Sequence, residues 1–154
     1  MYIELNKKMT ALLSADDSLV TNLSNASALL NEYLEDINWV GFYYRNGDKL
    51  LLGPFQGKVA CVTIPMGRGV CGTAAEKAET IVVKDVHQFP GHIACDCASN
   101  SEIVIPIFDG DEVVGVLDID SPSLNRFTDD DKNGLEPVAK AIGELWARAQ
   151  KTLF

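Results

Sequence analysis

Glu102-Ile103-Val104-Ile105-Pro106-Ile107-Phe108, then Asp109-Gly110-Asp111, then Glu112-Val113-Val114-Gly115-Val116-Leu117-Asp118-Ile119-Asp120, decides the fold. Two runs rich in β-branched residues flank an Asp-Gly turn, the strongest short-range hairpin signal in the chain. Strand alternation places Asp118 and Asp120 on one face of the second run and Leu117 and Ile119 on the other. Side-by-side carboxylates on a strand repel each other and cost stability. An apolar strand that ends Asp-x-Asp therefore suggests a cationic guest, with simple solvation at a strand end as the alternative. Glu102, at the start of the first run, reads either as an acid of the same site or as an exposed strand terminus.

Upstream, a second hairpin is expected. Trp39-Val40-Gly41-Phe42-Tyr43-Tyr44 is aromatic and β-branched, Asn46-Gly47-Asp48 is a turn, and Lys49-Leu50-Leu51-Leu52-Gly53 resumes extended. Alternation sets Trp39 and Tyr43 on one face and Val40 and Phe42 on the other. Residues 59–65 read as a third strand, residues 73–78 as a short helix and residues 80–83 as a short strand. Residues 84–101 form a long segment with little periodicity, and loops of that length in compact domains tend to be functional or disordered.

Before the sheet, Leu5, Met9, Leu12 and Leu13 recur at helical spacing. Asp16-Asp17-Ser18 offers a cap, and Leu19, Leu23, Ala26, Leu30, Tyr33 and Ile37 continue one face of a second helix. After the sheet, Phe127-Thr128-Asp129-Asp130-Asp131 caps a terminal helix faced by Leu135, Val138, Ile142, Leu145 and Ala149. Pro137 is expected to kink that helix or mark a later start. The order is α+β: a central, mainly antiparallel sheet with helices packed on its faces, in one domain spanning residues 1–154.

A chain of 154 residues, 47% apolar and 23% charged, has the composition of a soluble globular protein. Its net charge of −9 argues against nucleic acid, whose phosphates it would repel. No apolar run reaches membrane-spanning length, and the first residues lack the order of a signal peptide. The expectation is a cytoplasmic protein, no membrane contact, and thiols kept reduced except for transient disulfides.

All four cysteines, Cys61, Cys71, Cys95 and Cys97, lie within 37 positions of one another. Thiols that cluster in this way suggest a disulfide staple, a metal site or redox chemistry. Gly67-Arg68-Gly69-Val70-Cys71-Gly72 matches G-x-G-x-x-G, but the helix after it is too short for a dinucleotide-binding crossover. A glycine turn that brings backbone close to something is the better reading. Zinc is disfavoured, because Cys95-Asp96-Cys97 has one spacer and no second pair joins it, with His92 and His87 as the remaining donors. Thiol redox needs a nucleophile, a resolving thiol and partial exposure. The loop at Cys95 and Cys97 offers exposure. Cys71 begins a short helix, where backbone N–H groups favour an anion, and Cys61 lies beside it. Buried packing is the alternative for Cys61 and Cys71 singly.

Gly91-His92-Ile93-Ala94-Cys95-Asp96, Ala98-Ser99-Asn100-Ser101-Glu102-Ile103-Val104 and Gly115-Val116-Leu117-Asp118-Ile119-Asp120-Ser121-Pro122 resemble the free methionine-(R)-sulfoxide reductases, which are single-domain GAF proteins. Asn38-Trp39-Val40-Gly41-Phe42-Tyr43 and Val70-Cys71-Gly72 resemble them too, so the likeness covers nearly the whole chain. It implies a GAF-type fold and reduction of free L-methionine-(R)-S-oxide to methionine. By this resemblance Cys95 is the catalytic cysteine, Cys71 the main resolving cysteine and Cys61 an additional redox cysteine. Trp39, Tyr43, Glu102, Asp118 and Asp120 line the substrate pocket, and Glu102 or Asp120 handles the proton. The resemblance further implies a sulfenic acid and an intramolecular disulfide, no bound cofactor or metal, and thioredoxin as electron donor with NADPH acting indirectly. A role in repair after oxidative stress and a homodimer paired through terminal helices follow from it as expectations. Cys97 stands where the family often carries a small residue without a thiol. The alternative is a non-catalytic GAF module that senses a small molecule, for which cysteines at this spacing would serve no purpose.

Overall fold

The computed structural model describes residues 1–91 and 99–149. Helices α1 (Tyr2–Leu12) and α2 (Leu19–Tyr33) precede strands β1 (Trp39–Asn46), β2 (Lys49–Gly57) and β3 (Thr63–Pro65). Then come α3 (Gly69–Lys77), β4 (Ile81–Val83), a 3-10 turn at Val86–Gln88, β5 (Ser101–Asp109), β6 (Glu112–Ser121) and α4 (Asp129–Ala149). The strands form one six-stranded sheet in the order β3-β2-β1-β6-β5-β4, and every neighbouring pair is antiparallel. The expected α+β architecture is therefore present, built from two hairpins joined along β1 and β6.

The two sheet faces carry different loads. Val40, Phe42, Ile103, Ile105, Ile107, Leu117 and Ile119 point to one face and pack with α1, α2 and α4 into the larger hydrocarbon core. The alternate residues Trp39, Tyr43, Val104, Val113 and Val116 point to the other, where α3 and the loops cover a smaller core. Because β3 and β4 sit at opposite edges, α3 spans that second face and touches β3, β4, β5 and β6.

Helix ends follow local chemistry. The Ser18 hydroxyl caps α2 by accepting from the Thr21 amide at 3.1 Å. At α4 the Asp131 carboxylate accepts from the Thr128 amide at 2.8 Å and the Thr128 hydroxyl accepts from the Asp131 amide at 3.4 Å, a reciprocal cap. Pro137 neither ends α4 nor delays its start. It and Asn133, whose carbonyl loses its helical partner, both lie on the exposed side, where water can replace the bond.

Several expected boundaries move. The second strand continues past Gly53 to Gly57, because a bulge opposite Phe42 accommodates Gly53 and Pro54. The third strand shrinks to Thr63–Pro65, and residues 59–62 form a loop against the second face. The α3 helix starts four residues earlier than periodicity suggests, since glycine carries little helical signal. The α2 helix ends at Tyr33, and Ile37 packs on the core from beyond it. Among the described residues no helix is long and apolar enough to cross a membrane.

Candidate active site

Antiparallel register assembles the site. Trp39 lies opposite Asp120, Asp120 opposite Glu102 and Glu102 opposite Val83, one row across four strands. The next row on the same face is Gly41, Asp118, Val104 and Ile81. The expected facing of Asp118 and Asp120 away from Leu117 and Ile119 is therefore realised, and the carboxylates are not solvated at a free strand end. Glu102 and Asp118 are only 7% and 6% exposed, which rules out bulk water as their main partner.

These side chains open into a cavity lined by Trp39, Tyr43, Val59, Ala60, Ile64, Arg68, Gly69, Val70, Cys71, Ser99, Glu102, Asp118 and Asp120. Trp39 stacks on Phe55 with ring centroids 5.2 Å apart and on Tyr43 at 6.1 Å. Both polar tips hold the loop above: the Trp39 indole donates to the Lys58 carbonyl at 3.1 Å and the Tyr43 hydroxyl to the Cys61 carbonyl at 2.8 Å. The aromatics thus build the wall as well as the core.

Cys71 stands in the first turn of α3, which begins at Gly69 with φ +63°, and its Sγ lies 4.0 Å from Glu102 Oε2. Burial pushes the Cys71 thiol well up, and Asp118, Glu102 and Asp120 push it further. The anion-favouring helix start expected from the sequence is overruled here. A helix terminus contributes roughly 0.3–1 kcal/mol, whereas full burial shifts a titration by up to about 3–5 units. Glu102 is raised as well, by burial first and then by Asp118 and Asp120. At neutral pH the group therefore retains a proton among its acids. The Tyr43 phenol is raised by burial and by Asp118 and stays protonated.

Cys71 Sγ and carboxylate oxygens of Glu102 and Asp118 lie within 4.8 Å of one another, all buried. Such a set can receive one cation, whether a metal ion or an ammonium group. Cys71 is a free thiol, while Cys61 is disulfide-bonded to a partner outside the described residues. Cys95, Cys97 and His92 also lie outside the described residues. His87, the other donor considered for zinc, shares a hydrogen bond of 3.1 Å with the Asn100 side chain.

Of the site residues expected from the sequence, the structure brings Trp39, Tyr43, Cys71, Glu102, Asp118 and Asp120 into one cavity, with Cys61 held at its rim by Tyr43. Arg68, Ser99 and the apolar Val59, Ala60, Ile64 and Val70 were not foreseen. Arg68 had a readable signal, a lone cation inside a glycine turn. Ser99, which accepts from the Asn38 side-chain amide at 3.3 Å, had none. The glycine turn itself supports no dinucleotide site, because among the described strands no parallel neighbour exists to complete a βαβ unit.

The GAF domain family matches residues 22–147. The free methionine-R-sulfoxide reductase of Escherichia coli (strain K12) is 52% identical over 153 residues, which is 99% of this chain and 93% of that one. The reduced form of fRMsr of Staphylococcus aureus superposes with a TM-score of 0.90 at 54% identity, covering 94% of each chain. The free methionine-R-sulfoxide reductase from Neisseria meningitidis, in complex with its substrate, gives 0.91 at 40% identity over 99% of this chain and 92% of that one. A fold match this close, at this identity, leaves one family: the chain belongs to the free methionine-R-sulfoxide reductases, enzymes built on a GAF domain.

Proposed function

We propose that this enzyme reduces free L-methionine-(R)-S-oxide to methionine with two thiols, and that thioredoxin restores them. The observation that carries the reading is the buried group of Cys71, Glu102 and Asp118 set in an aromatic-walled cavity. An ammonium group is the guest that three crowded carboxyls call for, and the Trp39 face suits a methyl group. A peptide-bound methionine lacks that ammonium, so the charged wall favours the free amino acid.

The thiolate of Cys95 attacks the sulfoxide sulfur to give a transient sulfurane, and the oxygen then migrates to the Cys95 sulfur as both the S–O bond to methionine and the new S–S bond break. Glu102, held protonated, supplies a proton to that oxygen as it transfers. Methionine departs and Cys95 is left as a sulfenic acid. A second thiol displaces the hydroxyl as water and forms a disulfide, so two thiols are oxidised for each sulfoxide reduced.

The family resemblance implies Cys71 as the main resolving thiol. Two features favour Cys61 for the first resolution instead: it is the one found in a disulfide, and Cys71 is pushed toward the neutral, unreactive thiol. Cys71 then serves as a reserve partner. Thioredoxin, itself recharged from NADPH by its reductase, reopens the disulfide, which fits a cytoplasmic enzyme with no bound cofactor. A homodimer paired through the terminal helices belongs to the same reading, supported by the exposed Met1, Ile3 and Leu12 of α1.

The test follows NADPH oxidation with thioredoxin, thioredoxin reductase and each methionine sulfoxide epimer. Turnover of the R epimer alone is expected, with Cys95→Ser inactive. A Cys95→Ser protein that still turns over repeatedly, or a wild type that binds the sulfoxide with no change in its thiols, would leave only a sensing module.

A further inference from the structure

Glu102 and Asp118 are diagonal neighbours across the β5–β6 ladder, because Glu102 pairs with Asp120 and Asp118 with Val104. Cys71 meets them from α3, with its Sγ 4.0 Å from Glu102 Oε2. One sulfur and two carboxylate oxygens, supplied by three different elements, thus lie within 4.8 Å of one another. None of the three residues is more than 7% exposed. A tetrahedral zinc centre has bonds of about 2.3 Å to sulfur and about 2.0–2.2 Å to oxygen, so its ligands stand about 3.4–3.6 Å apart. The sulfur–oxygen spacing is already close to such an edge, and small side-chain rotations close the rest. Asp120, which lines the same cavity, or a water can take the fourth corner. This set shares no residue with Cys95, Cys97, His92 and His87, the donors weighed for zinc along the sequence.

We propose that Cys71, Glu102 and Asp118 form a binding site for a soft divalent cation of the zinc type, and that the bound ion shuts substrate out of the cavity. The exclusion rests on reading the cavity as the methionine-sulfoxide site; the binding does not. The ion is a reversible inhibitor here, not a cofactor. On binding, it displaces the thiol proton to solvent and forms a metal–sulfur bond, with no change of oxidation state. The acids that hold the thiol neutral in the metal-free protein are the groups a double positive charge satisfies. The sulfur selects zinc and cadmium over magnesium and calcium, which take shells of oxygen. Cys71 is a free thiol while Cys61 is disulfide-bonded, so the site persists in the oxidised protein.

The experiment titrates the whole chain with cadmium, a spectroscopic stand-in for zinc, and reads the ultraviolet charge-transfer band of a thiolate–metal bond. A variant with Cys61, Cys95 and Cys97 all replaced by serine keeps Cys71 as its sole thiol and should show the band at one equivalent. C71S and C71A should lose the high-affinity band, in both the reduced and the disulfide form, with an unchanged urea midpoint. E102Q and D118N should weaken cadmium by more than the about 10–100-fold that outer-shell partners of a metal cost. Calorimetry should give zinc the same stoichiometry, with no heat from magnesium at equal concentration. Free methionine sulfoxide should raise the apparent Kd for cadmium. Three results overturn the proposal: no band from the sole thiol at position 71, a full-strength band in C71S, or an affinity that ignores both E102Q and D118N. A band that behaves as expected but does not respond to methionine sulfoxide would keep the metal site and remove the cavity's reading as the sulfoxide site.

Discussion

Leu117 and Asp118 are adjacent on β6 and serve opposite purposes. Leu117 is fully enclosed in the larger hydrophobic core, with Phe42, Ile105 and side chains of α4 in the same cluster. Asp118, one pleat away, is almost as enclosed but faces Glu102 and Cys71. The same period of two thus delivers stability to one face and chemistry to the other. A second pair of acids sharpens the contrast. Asp131 is buried at the start of α4, yet hydrogen bonds from Tyr2 and Thr128 and the charge of Arg126 at 3.2 Å hold it below the usual carboxylate range against the upward pull of burial. Glu102 is buried first of all, and then beside Asp118 and Asp120, and it rises. Burial alone does not mark a functional acid; burial among other acids does.

The sharpest way to break this contrast is Glu102→Gln. It keeps a neutral hydrogen-bonding side chain but cannot release a proton, so kcat/KM should fall by about 10²–10⁴ with no loss in urea midpoint. A fall in both would mean that the acidic face is structural. Leu117→Ala should do the opposite, costing about 2–5 kcal/mol in urea unfolding while the folded fraction keeps its kcat. Asp131→Asn comes next. It trades a charge-assisted network for a neutral one and should cost about 1.5–3 kcal/mol at pH 7, with activity unchanged.

The pH dependence should separate the two acids by sign. Asp131 has a depressed folded pKa, so its contribution is present above about pH 3.9, the unfolded value, and is lost as pH falls through the folded one. Glu102 has a raised folded pKa, so stability is lost as pH climbs from about 4.3, its unfolded value, toward the folded one. Denaturant titrations across that range should show Asp131→Asn flattening the acid limb and Glu102→Gln flattening the decline above it. The smallest effect is expected for Trp39→Phe, which removes the indole bond to Lys58 and should cost about 0.5–1.5 kcal/mol, read as a small drop in melting temperature.

Much of the site was legible because it is carried by strands. Two hairpin turns and a period of two were enough to put Trp39, Tyr43, Asp118 and Asp120 on one face, and antiparallel pairing then brings Glu102 beside Asp120. What stayed hidden depends on contacts distant in sequence. The bulge at Gly53 and Pro54 lies inside β2, where glycine and proline read as the end of a strand until its pairing with β1 is known. The start of α3 lies in glycines, which carry no periodicity. The protonation of Cys71 was misjudged because helix position is local, while the acids that oppose its charge come from strands some 30 and 47 positions away.

The hydrogen bonds from Trp39 and Tyr43 to the Lys58 and Cys61 carbonyls moor the backbone of residues 58–61 to the rigid floor of the sheet. These moorings involve main chain only and do not depend on whether the sulfur at position 61 is bonded. Opening the disulfide therefore releases a side-chain torsion and not a swinging loop.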